Sequence, residues 1–262
     1  MKIFFSLVII LFSFYSNTSV QSPDSLRIIS YNIHHANPPA KPGLIDIQAF
    51  IDVFKKYQAD VIALQEVDVN TKRSGNINEA KMIADGLSMY FFFGKAIDYD
   101  GGYYGVALLS RFPLKDTQYI QLPADTTSKG EQRILAVATI TLQSGRSVTV
   151  ACTHLDHRKD PKNRELQVAA ISEFAKKNKE PFIIAGDLNS EPGSGVIKMF
   201  GETFQKSCDT CPLTFPAIFP DRTIDYVGFK KAKGIKVVSH QALPESYASD
   251  HLPTRVVIRF DK

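Results

Sequence analysis

Cysteine is scarce in this sequence, and the motifs of several common enzyme classes are missing. Only three of the 262 residues are cysteine. The pair Cys208 and Cys211 is too small for a structural zinc site, and no second pair follows it. The chain also contains no GxSxG elbow, no HExxH pair and no Walker loop. We therefore exclude the serine hydrolases, zinc peptidases and P-loop nucleotide hydrolases that depend on these motifs.

The few cysteines allow one short cross-link. In an oxidising compartment Cys208 and Cys211, spaced CDTC, could form a disulfide that closes a small loop, and the sequence leaves this open. Cys152 lies in the apolar run VTVAC, so we expect it to be a small buried side chain.

A strong excess of one charge is also missing. Lysine and arginine number 31 against 27 aspartates and glutamates, and loss of Lys2 with a leader would leave 30 against 27, a net charge of +3. A non-specific nucleic-acid binder usually carries a stronger and more clustered positive charge. The charge balance therefore neither supports nor excludes DNA as a partner.

Residues 1–20 resemble a secretory signal peptide. Lys2 precedes an apolar run over residues 3–14, and small polar residues follow it. The run is too short to span a bilayer comfortably, although a retained N-terminal anchor is the alternative. No cysteine directly follows the run, so lipid attachment is not supported. We expect residues 21–262 to form a single domain, secreted or periplasmic, soluble and monomeric, with no stable protein partner.

Hydrophobic patterning predicts alternating strands and helices without internal repeats. Predicted strands cover residues 26–32, 60–64, 90–93, 106–110, 115–122, 134–142, 147–153, 182–186, 223–229, 235–238 and 254–260. Predicted helices cover residues 44–57, 78–87 and 160–178, the last with Leu166, Ala170 and Phe174 on its buried face. Ser144 and Gly145 predict a hairpin turn. The pattern favours an α/β sandwich whose sheets are covered by helices.

The stretch FIIAGDLN is the most informative in the chain. Four apolar residues lead into Asp187 and Asn189, which lie two positions apart and therefore face the same side of an extended chain. Taken alone, an acid after a strand is usually a turn residue or a helix cap. Similar polar groups lie at other predicted strands: Asn32, Glu66 followed by Asp68, and His154 end strands, Asp225 lies within one, and Asp250 with His251 directly precedes the last. We expect these ends to meet in one cleft.

These residue types suit phosphate-ester chemistry. A phosphate ester repels nucleophiles through its own negative charge, and a hard divalent cation held by carboxylate and amide oxygens offsets that charge. Glu66 and Asp250 would suit the cation, Asn32 and Asn189 could orient phosphate or nucleophile, and the histidines could donate to developing charge. Oxygen ligands favour Mg²⁺, Mn²⁺ or Ca²⁺ over zinc.

Seven segments in this order resemble the endonuclease/exonuclease/phosphatase superfamily, which includes DNase I. They are SYN (30–32), LQEV (64–67), YYGVALLSR (103–111), THL (153–155), GDLN (186–189), TIDYV (223–227) and SDHLP (249–253). The resemblance spans residues 26–260. It implies a DNase I-like four-layer α/β sandwich, in which two central mixed β-sheets are flanked by helices and the site lies at one end.

The resemblance also implies a role for each matching residue. Glu66 resembles the principal metal ligand, with Asn32 beside it, and Asp250 would approach the metal or orient His251. Asp187 and Asn189 resemble the pair that activates water and holds phosphate. His154 and His251 resemble the two phosphate-facing histidines. Asp225 resembles a supporting acid, and Tyr103 or Tyr104 resembles the tyrosine that lines the phosphate pocket. Arg133 could contact phosphate or form a surface salt bridge.

The chain departs from the abasic-site endonuclease branch, which usually has NxD after its first strand. Here His34 takes the third position and His35 follows, either to shape substrate choice or, as we favour, to cap the strand. The presence of His154 moves the chain toward the DNase I, sphingomyelinase and phosphatase side. Further loop residues could meet substrate or be ordinary surface: His157 with Arg158, and Arg73 with Lys72 and Asn70.

The segment TFPAIFP, residues 214–220, presents Phe215 and Phe219 among three prolines. It could form an apolar wall beside the site, but we expect it to pack beneath a long loop. The most favoured function is an exported, divalent-metal-dependent hydrolase of a phosphodiester or phosphomonoester, using in-line attack by an activated water. A secreted DNase I-like endonuclease and a non-catalytic binding module are the alternatives. The substrate could be a small molecule, a lipid head group or nucleic acid.

Overall fold

The computed structural model describes residues 24–125, 127, 130–232 and 234–261. The predicted signal peptide lies outside this range. In the described residues the strands are β1 Asp24–Asn32, β2 Val61–Val69, β3 Tyr90–Tyr99, β4 Gly102–Ser110, β5 Lys115–Gln121, β6 Ile134–Thr141, β7 Ser147–His154, β8 Phe182–Asp187, β9 Phe204–Lys206, β10 Asp225–Lys230, β11 Ile235–Ala242 and β12 Thr254–Phe260. The helices are α1 Ile47–Tyr57, α2 Glu79–Leu87, α3 Lys162–Lys177 and α4 Gly195–Thr203.

The strands form two sheets of six. One sheet has the order β11-β12-β1-β2-β4-β3, and the other has the order β5-β6-β7-β8-β10-β9. Each sheet contains one central parallel pair, β1 with β2 and β7 with β8, and its other neighbours pair antiparallel. Both sheets are therefore mixed, as the resemblance implies.

Three apolar layers hold the sheets and helices together. Alternation along β1 places Ile28 in the core between the two sheets and Ile29 in the core beneath α1 and α2. Along β8, Ile183 faces the inter-sheet core and Ile184 faces α3 and α4. The order of layers is thus helices, sheet, sheet, helices, which confirms the predicted four-layer sandwich.

Several local predictions differ from the structure. The buried face of α3 carries Gln167, Val168, Ile171, Ser172 and Ala175, whereas Leu166 is 39% exposed. Ala170 and Phe174 are partly buried and pack against this core as predicted, so only Leu166 was misplaced. The centre of the buried face lies one residue later than predicted, and adjacent helix positions are about 100° apart. Helix α4 was also missed, since its short apolar run lies between two loops.

Cys208 and Cys211 form a disulfide, which the sequence left open. Two smaller predictions are confirmed by the structure: Cys152 is fully buried between the sheets, and a turn at Ser144 and Gly145 joins β6 to β7. The turn between β6 and β7 contains Gly145 at a φ of 88°, a conformation that glycine adopts without strain. In the described part of the chain, no helix is long and apolar enough to cross a membrane.

The two parallel pairs determine where polar side chains collect. Strands that run parallel present their carboxyl ends at the same edge of a sheet, and here both pairs end on the same side of the sandwich. Asn32 ends β1, His154 ends β7 and Asp187 ends β8. The polar strand ends predicted from the sequence therefore meet at one end of the molecule.

Candidate active site

An amide links the two carboxylates at the centre of this end. The Nδ2 of Asn32 donates to Glu66 Oε1 at 3.0 Å and to Asp187 Oδ2 at 3.2 Å. Asn32 is fully buried, and its Oδ1 accepts from the backbone N of His34. Because both ends of the amide are hydrogen-bonded, Asn32 fixes one carboxylate from each sheet in a common position.

A β-bulge directs Glu66 into the site. The pairing of β2 with β4 shifts between Leu64 and Val67, and Glu66 has a φ of 56°. Leu64 and Val67 both face the helix layer, while Gln65 points inward and hydrogen-bonds Cys152 Sγ. Strict alternation would send Glu66 toward the helices, so the inserted residue is what turns its carboxylate to the cavity.

Asp187 lies between two imidazoles. Its Oδ2 is 3.6 Å from His154 Nε2 and 3.7 Å from His251 Nε2. Strand register explains part of this geometry, because Asp187 pairs with His154 on β7 and with Asp225 on β10. All four side chains are at least nine-tenths buried. The carboxylate therefore interacts with its neighbours through little intervening water.

His251 and Asp225 form a hydrogen-bonded pair. The Nδ1 of His251 lies 3.0 Å from Asp225 Oδ2. Burial lowers the pKa of His251, but the negative charge of Asp225 and its hydrogen bond outweigh this and raise the pKa to about 10. The proton on Nδ1 thus faces Asp225, and the Nε2–H of the imidazolium points toward Asp187 and the cavity.

His154 is held in the opposite charge state. Arg133 Nη1 lies 3.2 Å from His154 Nδ1. A guanidinium only donates, so Nδ1 must accept and the ring proton of neutral His154 must sit on Nε2. Burial and the positive charge of Arg133 both lower the pKa of His154 well below its usual range. His154 is therefore a neutral donor toward the cavity.

Asp187 has a perturbed acidity. Burial and the nearby charge of Asp225 raise the pKa of Asp187, against the lowering effects of His251 and of hydrogen bonds from Asn189 N and Asn32. Asn189 itself has a φ of 47°, and its Nδ2 donates to the carbonyl of Leu155. A carboxyl group with a raised pKa is suited to accepting a proton near neutral pH.

The structure brings most of the predicted residues to one cavity of about 400 Å³. Its lining includes Glu66, Tyr104, Arg133, His154, Asp187, Asn189, Asp250 and His251. Asn32 and Asp225 lie directly behind this lining through their hydrogen bonds to Asp187 and His251. Asp250 lies beside Ser249, whose Oγ donates to the carbonyl of Asn32 at 2.7 Å and is 3.3 Å from Asp250 Oδ1.

Tyr103 is not part of this cavity. Its ring is 41% exposed and lies under Lys95, whose Nζ is 4.5 Å from the ring centroid. Adjacent residues on β4 point to opposite faces, so only one of the two tyrosines can face the site, and that one is Tyr104. Burial and the charge of Glu66 raise the pKa of the Tyr104 phenol, which keeps it protonated as a donor.

Three cavity residues were not predicted as site residues, or were expected elsewhere. Glu131 pairs with Arg133 at 2.9 Å, and Arg222 stacks over Phe215 with its guanidinium carbon 4.6 Å from the ring centroid. Phe215 lies 4.7 Å from the ring of His251 and forms an apolar wall, so the expectation that it packs beneath a loop was wrong. Phe219 is 90% exposed. In the sequence, Glu131 and Arg222 could have been noticed because each lies in a short charged segment, EQR (131–133) or DR (221–222), directly before a predicted strand.

The histidine and arginine loops border the site on one side. His34, His35, Arg73, Tyr99 and Tyr104 line a cavity of about 200 Å³ that also contacts Glu66 and Glu131. His34 and His35 both have positive φ angles, and His34 Nδ1 contacts the carbonyl of Asn37. The two histidines therefore line a cavity beside the site, whereas we expected them only to cap the strand.

The donor set fits a hard divalent cation. Glu66 Oε1 accepts only the Asn32 amide among the described residues, and its carboxylate faces the cavity together with Asp250. Atoms of Asp187, Asp225 and His251 also lie within 4.8 Å of one another, but His251 carries a proton on each nitrogen and does not coordinate in this state. The buried Oδ1 of Asp225 has no partner among described side chains. Asn32 presents its nitrogen to Glu66, so it orients this ligand and does not itself coordinate in this arrangement.

Known proteins resemble this chain in sequence and fold. YbhP of Escherichia coli K12 is 24% identical over 243 residues, covering 87% of this chain and 94% of that protein. The catalytic domain of human Nocturnin, solved with a bound sulfate anion, matches with a TM-score of 0.70 and 23% identity over 90% of this chain and 94% of the other. A mannosyl-6-phosphatase from Bacteroides thetaiotaomicron matches with a TM-score of 0.69 and 19% identity, over 90% of this chain and all of the other.

The family model described as "Endonuclease/Exonuclease/phosphatase family" matches residues 29–255. This range includes every side chain of the cavity described above. The two-sheet sandwich and the cluster of acids and imidazoles at its end agree with that match, and the chain belongs to the endonuclease/exonuclease/phosphatase family.

Proposed function

We propose that this protein is an exported, divalent-metal-dependent phosphoesterase that hydrolyses a phosphodiester by in-line attack of water. The observation that carries the proposal is the Asn32 amide, which joins the Glu66 carboxylate to the Asp187 carboxylate through hydrogen bonds of 3.0 and 3.2 Å. One hydrogen-bonded unit thus contains a group suited to hold a cation and a group suited to accept a proton.

Asp187 is the proposed general base. Its Oδ1 accepts from Asn189 N at 2.8 Å, and its Oδ2 accepts from Asn32, so the carboxylate cannot rotate freely. A water beside it would be oriented for attack and would lose its proton to the carboxylate. The raised pKa of Asp187 supports this role, because a more basic carboxylate takes the proton more readily.

The two histidines are proposed to stabilise the negative charge that develops on the phosphoryl oxygens. His251 contributes a cationic Nε2–H and His154 a neutral Nε2–H, each close to Asp187 Oδ2. Donors fixed by Asp225 and Arg133 need no reorganisation during the reaction. When bound, a Mg²⁺ ion, or Mn²⁺ or Ca²⁺ in its place, would act as a Lewis acid on the phosphoryl group.

Relatives in the family support hydrolysis of phosphate esters as the general chemistry. The name of the Bacteroides enzyme is that of a sugar phosphatase, and Nocturnin was solved with a tetrahedral anion. Phe215 and Tyr104 both line the cavity of about 400 Å³, and their rings are proposed to contact a second ester substituent, which favours the diester.

The test uses the mature protein with Asp187→Ala and His251→Ala. Each variant should lose metal-dependent turnover of bis(p-nitrophenyl) phosphate by at least about 100-fold, the usual contribution of a positioned acid or base. Arg111→Gln is the control, since Arg111 pairs with Asp60 at the opposite end of the sheet. Circular dichroism should show that all variants fold. Retained activity in either alanine variant would contradict the assignment.

The same preparation should be assayed against plasmid DNA, a phosphomonoester and a choline phospholipid with Mg²⁺, Mn²⁺ or Ca²⁺. Turnover restricted to the monoester would replace the proposed diesterase by a phosphatase. Turnover restricted to DNA would establish the secreted nuclease. Absence of turnover of every substrate with every metal would favour a binding protein that retains the fold.

A further inference from the structure

A second cavity of about 500 Å³ adjoins the catalytic cavity. The two share His157, Asn189, Arg222 and Ile224. We name it the distal cavity. Its other walls come from residues 158–165, at the start of α3, and residues 190–196, at the start of α4. The two cavities are therefore direct neighbours, within the reach of one extended substrate.

The distal cavity contains buried polar groups that lack partners. Ser190 is 6% exposed, and its Oγ has no hydrogen-bond partner among the described side chains. Arg164 is 7% exposed; its Nη1 donates to the carbonyls of Asp156 and Arg158, and its Nε has no acceptor. Within the part of the chain that the structure describes, no carboxylate forms an ion pair with Arg164. The Ser190 hydroxyl and the Arg164 Nε–H are therefore buried without partners, which is costly, and the charge of Arg164 is met only by two backbone carbonyls.

The amino terminus of α4 faces the same space. The hydroxyl of Ser194 caps the backbone N of Ile197, while Gly195 and Val196 line the cavity as the first helical residues. The N–H groups of a first helical turn have no acceptor within the helix, and their dipoles favour negative charge. Arg158, Lys159 and Arg222 add three cationic side chains to the walls.

Two acids moderate this positive character. Glu165 and Glu191 line the distal cavity, and Glu165 Oε1 lies 3.5 Å from the position that a Cβ on Gly195 would occupy. Against them stand the four cations Arg158, Lys159, Arg164 and Arg222. The balance is positive, and Glu165 lies where it would repel an anion at the start of α4.

We propose that the distal cavity is a second anion subsite, which binds another phosphoryl group of the substrate beside the ester that is cleaved. This inference rests on the proposed function, because it assigns the substrate to the class of phosphate esters that carry two phosphoryl groups. The second group could be a terminal phosphate or a further diester, since both present anionic oxygens to arginine and to backbone N–H groups.

The test measures ligand affinity and does not depend on turnover. Isothermal titration calorimetry with Mg²⁺ would use the Asp187→Ala protein, so that no ligand is hydrolysed, and would compare thymidine 5′-phosphate with thymidine 3′,5′-bisphosphate and with 5′-phosphorylated dithymidine. The bisphosphate offers a terminal second phosphate, and the dinucleotide offers a diester. We expect one of the two to bind about tenfold more tightly than the monophosphate, the gain typical of one added charge-assisted contact.

Matched variants identify the distal cavity as the source of that gain. The double variant Arg158→Gln, Lys159→Gln should reduce the tenfold gap to less than about threefold, because charge-assisted contacts are lost. Lys177→Gln, at the other end of α3, should preserve it. Glu165→Gln should widen the gap. Equal affinities for all three ligands, or a gap that survives in the double variant, would overturn the subsite.

Failure of the two proposals can be told apart. If the Asp187→Ala protein shows the affinity gap but the wild-type protein hydrolyses no phosphate ester, the subsite stands and the proposed function fails. If the wild-type protein hydrolyses phosphodiesters but the Asp187→Ala protein binds all three ligands equally, the proposed function stands and the subsite fails.

Discussion

Replacing Arg133 tests whether His154 acts as a neutral donor in a fixed tautomer. Arg133 is 3% exposed, and its two terminal nitrogens lie 3.2 Å from His154 Nδ1 and 3.2 Å from His157 Nδ1. Arg133→Met keeps an apolar stem of similar length and removes every donor. The proton of His154 is then free to move to Nδ1, which would turn an acceptor toward the cavity in place of a donor.

The expected loss of kcat depends on whether Arg133 contacts the reacting phosphoryl group directly or acts through another residue. Loss of one donor that contacts developing charge costs about 10²- to 10³-fold in kcat. Arg133 acts through His154, and a neutral imidazole still spends part of its time in the correct tautomer. We therefore expect kcat to fall by about 10- to 100-fold, below the cost of a direct donor. KM should change less than kcat, because the interaction strengthens in the transition state.

The assay combines kinetics with a direct view of the imidazole. Metal-dependent hydrolysis of bis(p-nitrophenyl) phosphate gives kcat and KM, and ¹⁵N NMR of His154 reports which nitrogen carries the proton. Arg133→Lys should recover part of the activity, since an ammonium can also donate to Nδ1. An Arg133→Met variant with kcat within threefold of the wild type, or with the tautomer unchanged, would refute the reasoning.

Three further predictions concern the metal, the pH dependence and the fold. Glu66→Gln should raise the Mg²⁺ concentration for half-maximal activity at least about tenfold, and EDTA should abolish wild-type activity reversibly. Burial raises the pKa of Glu79 to about 8, so its contribution to the free energy of unfolding should be fully present below about pH 4.5 and be lost as the pH rises to about 8, and Glu79→Gln should make the decline in urea titrations shallower than in the wild type. Gly186→Ala should lower Tm markedly or prevent folding, because its Cβ would lie 2.0 Å from the carbonyl oxygen of Thr153.

Much of the site could be predicted because its residues follow hydrophobic strands. The order of strands in the sequence identifies Asn32, His154 and Asp187 as strand ends, and the parallel pairs bring them together. The choice between Tyr103 and Tyr104 could not be made, since the pairing register of β4 determines which of two adjacent residues faces the cavity. Phe215 was misplaced because its contact with His251 depends on a loop that packs against another segment.

The amino-acid sequence by itself determined the layered architecture, because the alternation of apolar side chains specifies which strand faces are buried. It also determined the kinds of groups that the site contains. Only the tertiary structure decided the charge states and the partners of these groups. Asp225 makes His251 a cation and Arg133 keeps His154 neutral, although nothing in the local sequence distinguishes the two histidines. Their difference arises from residues 21 or more positions away in the chain that tertiary packing brings within 3.2 Å.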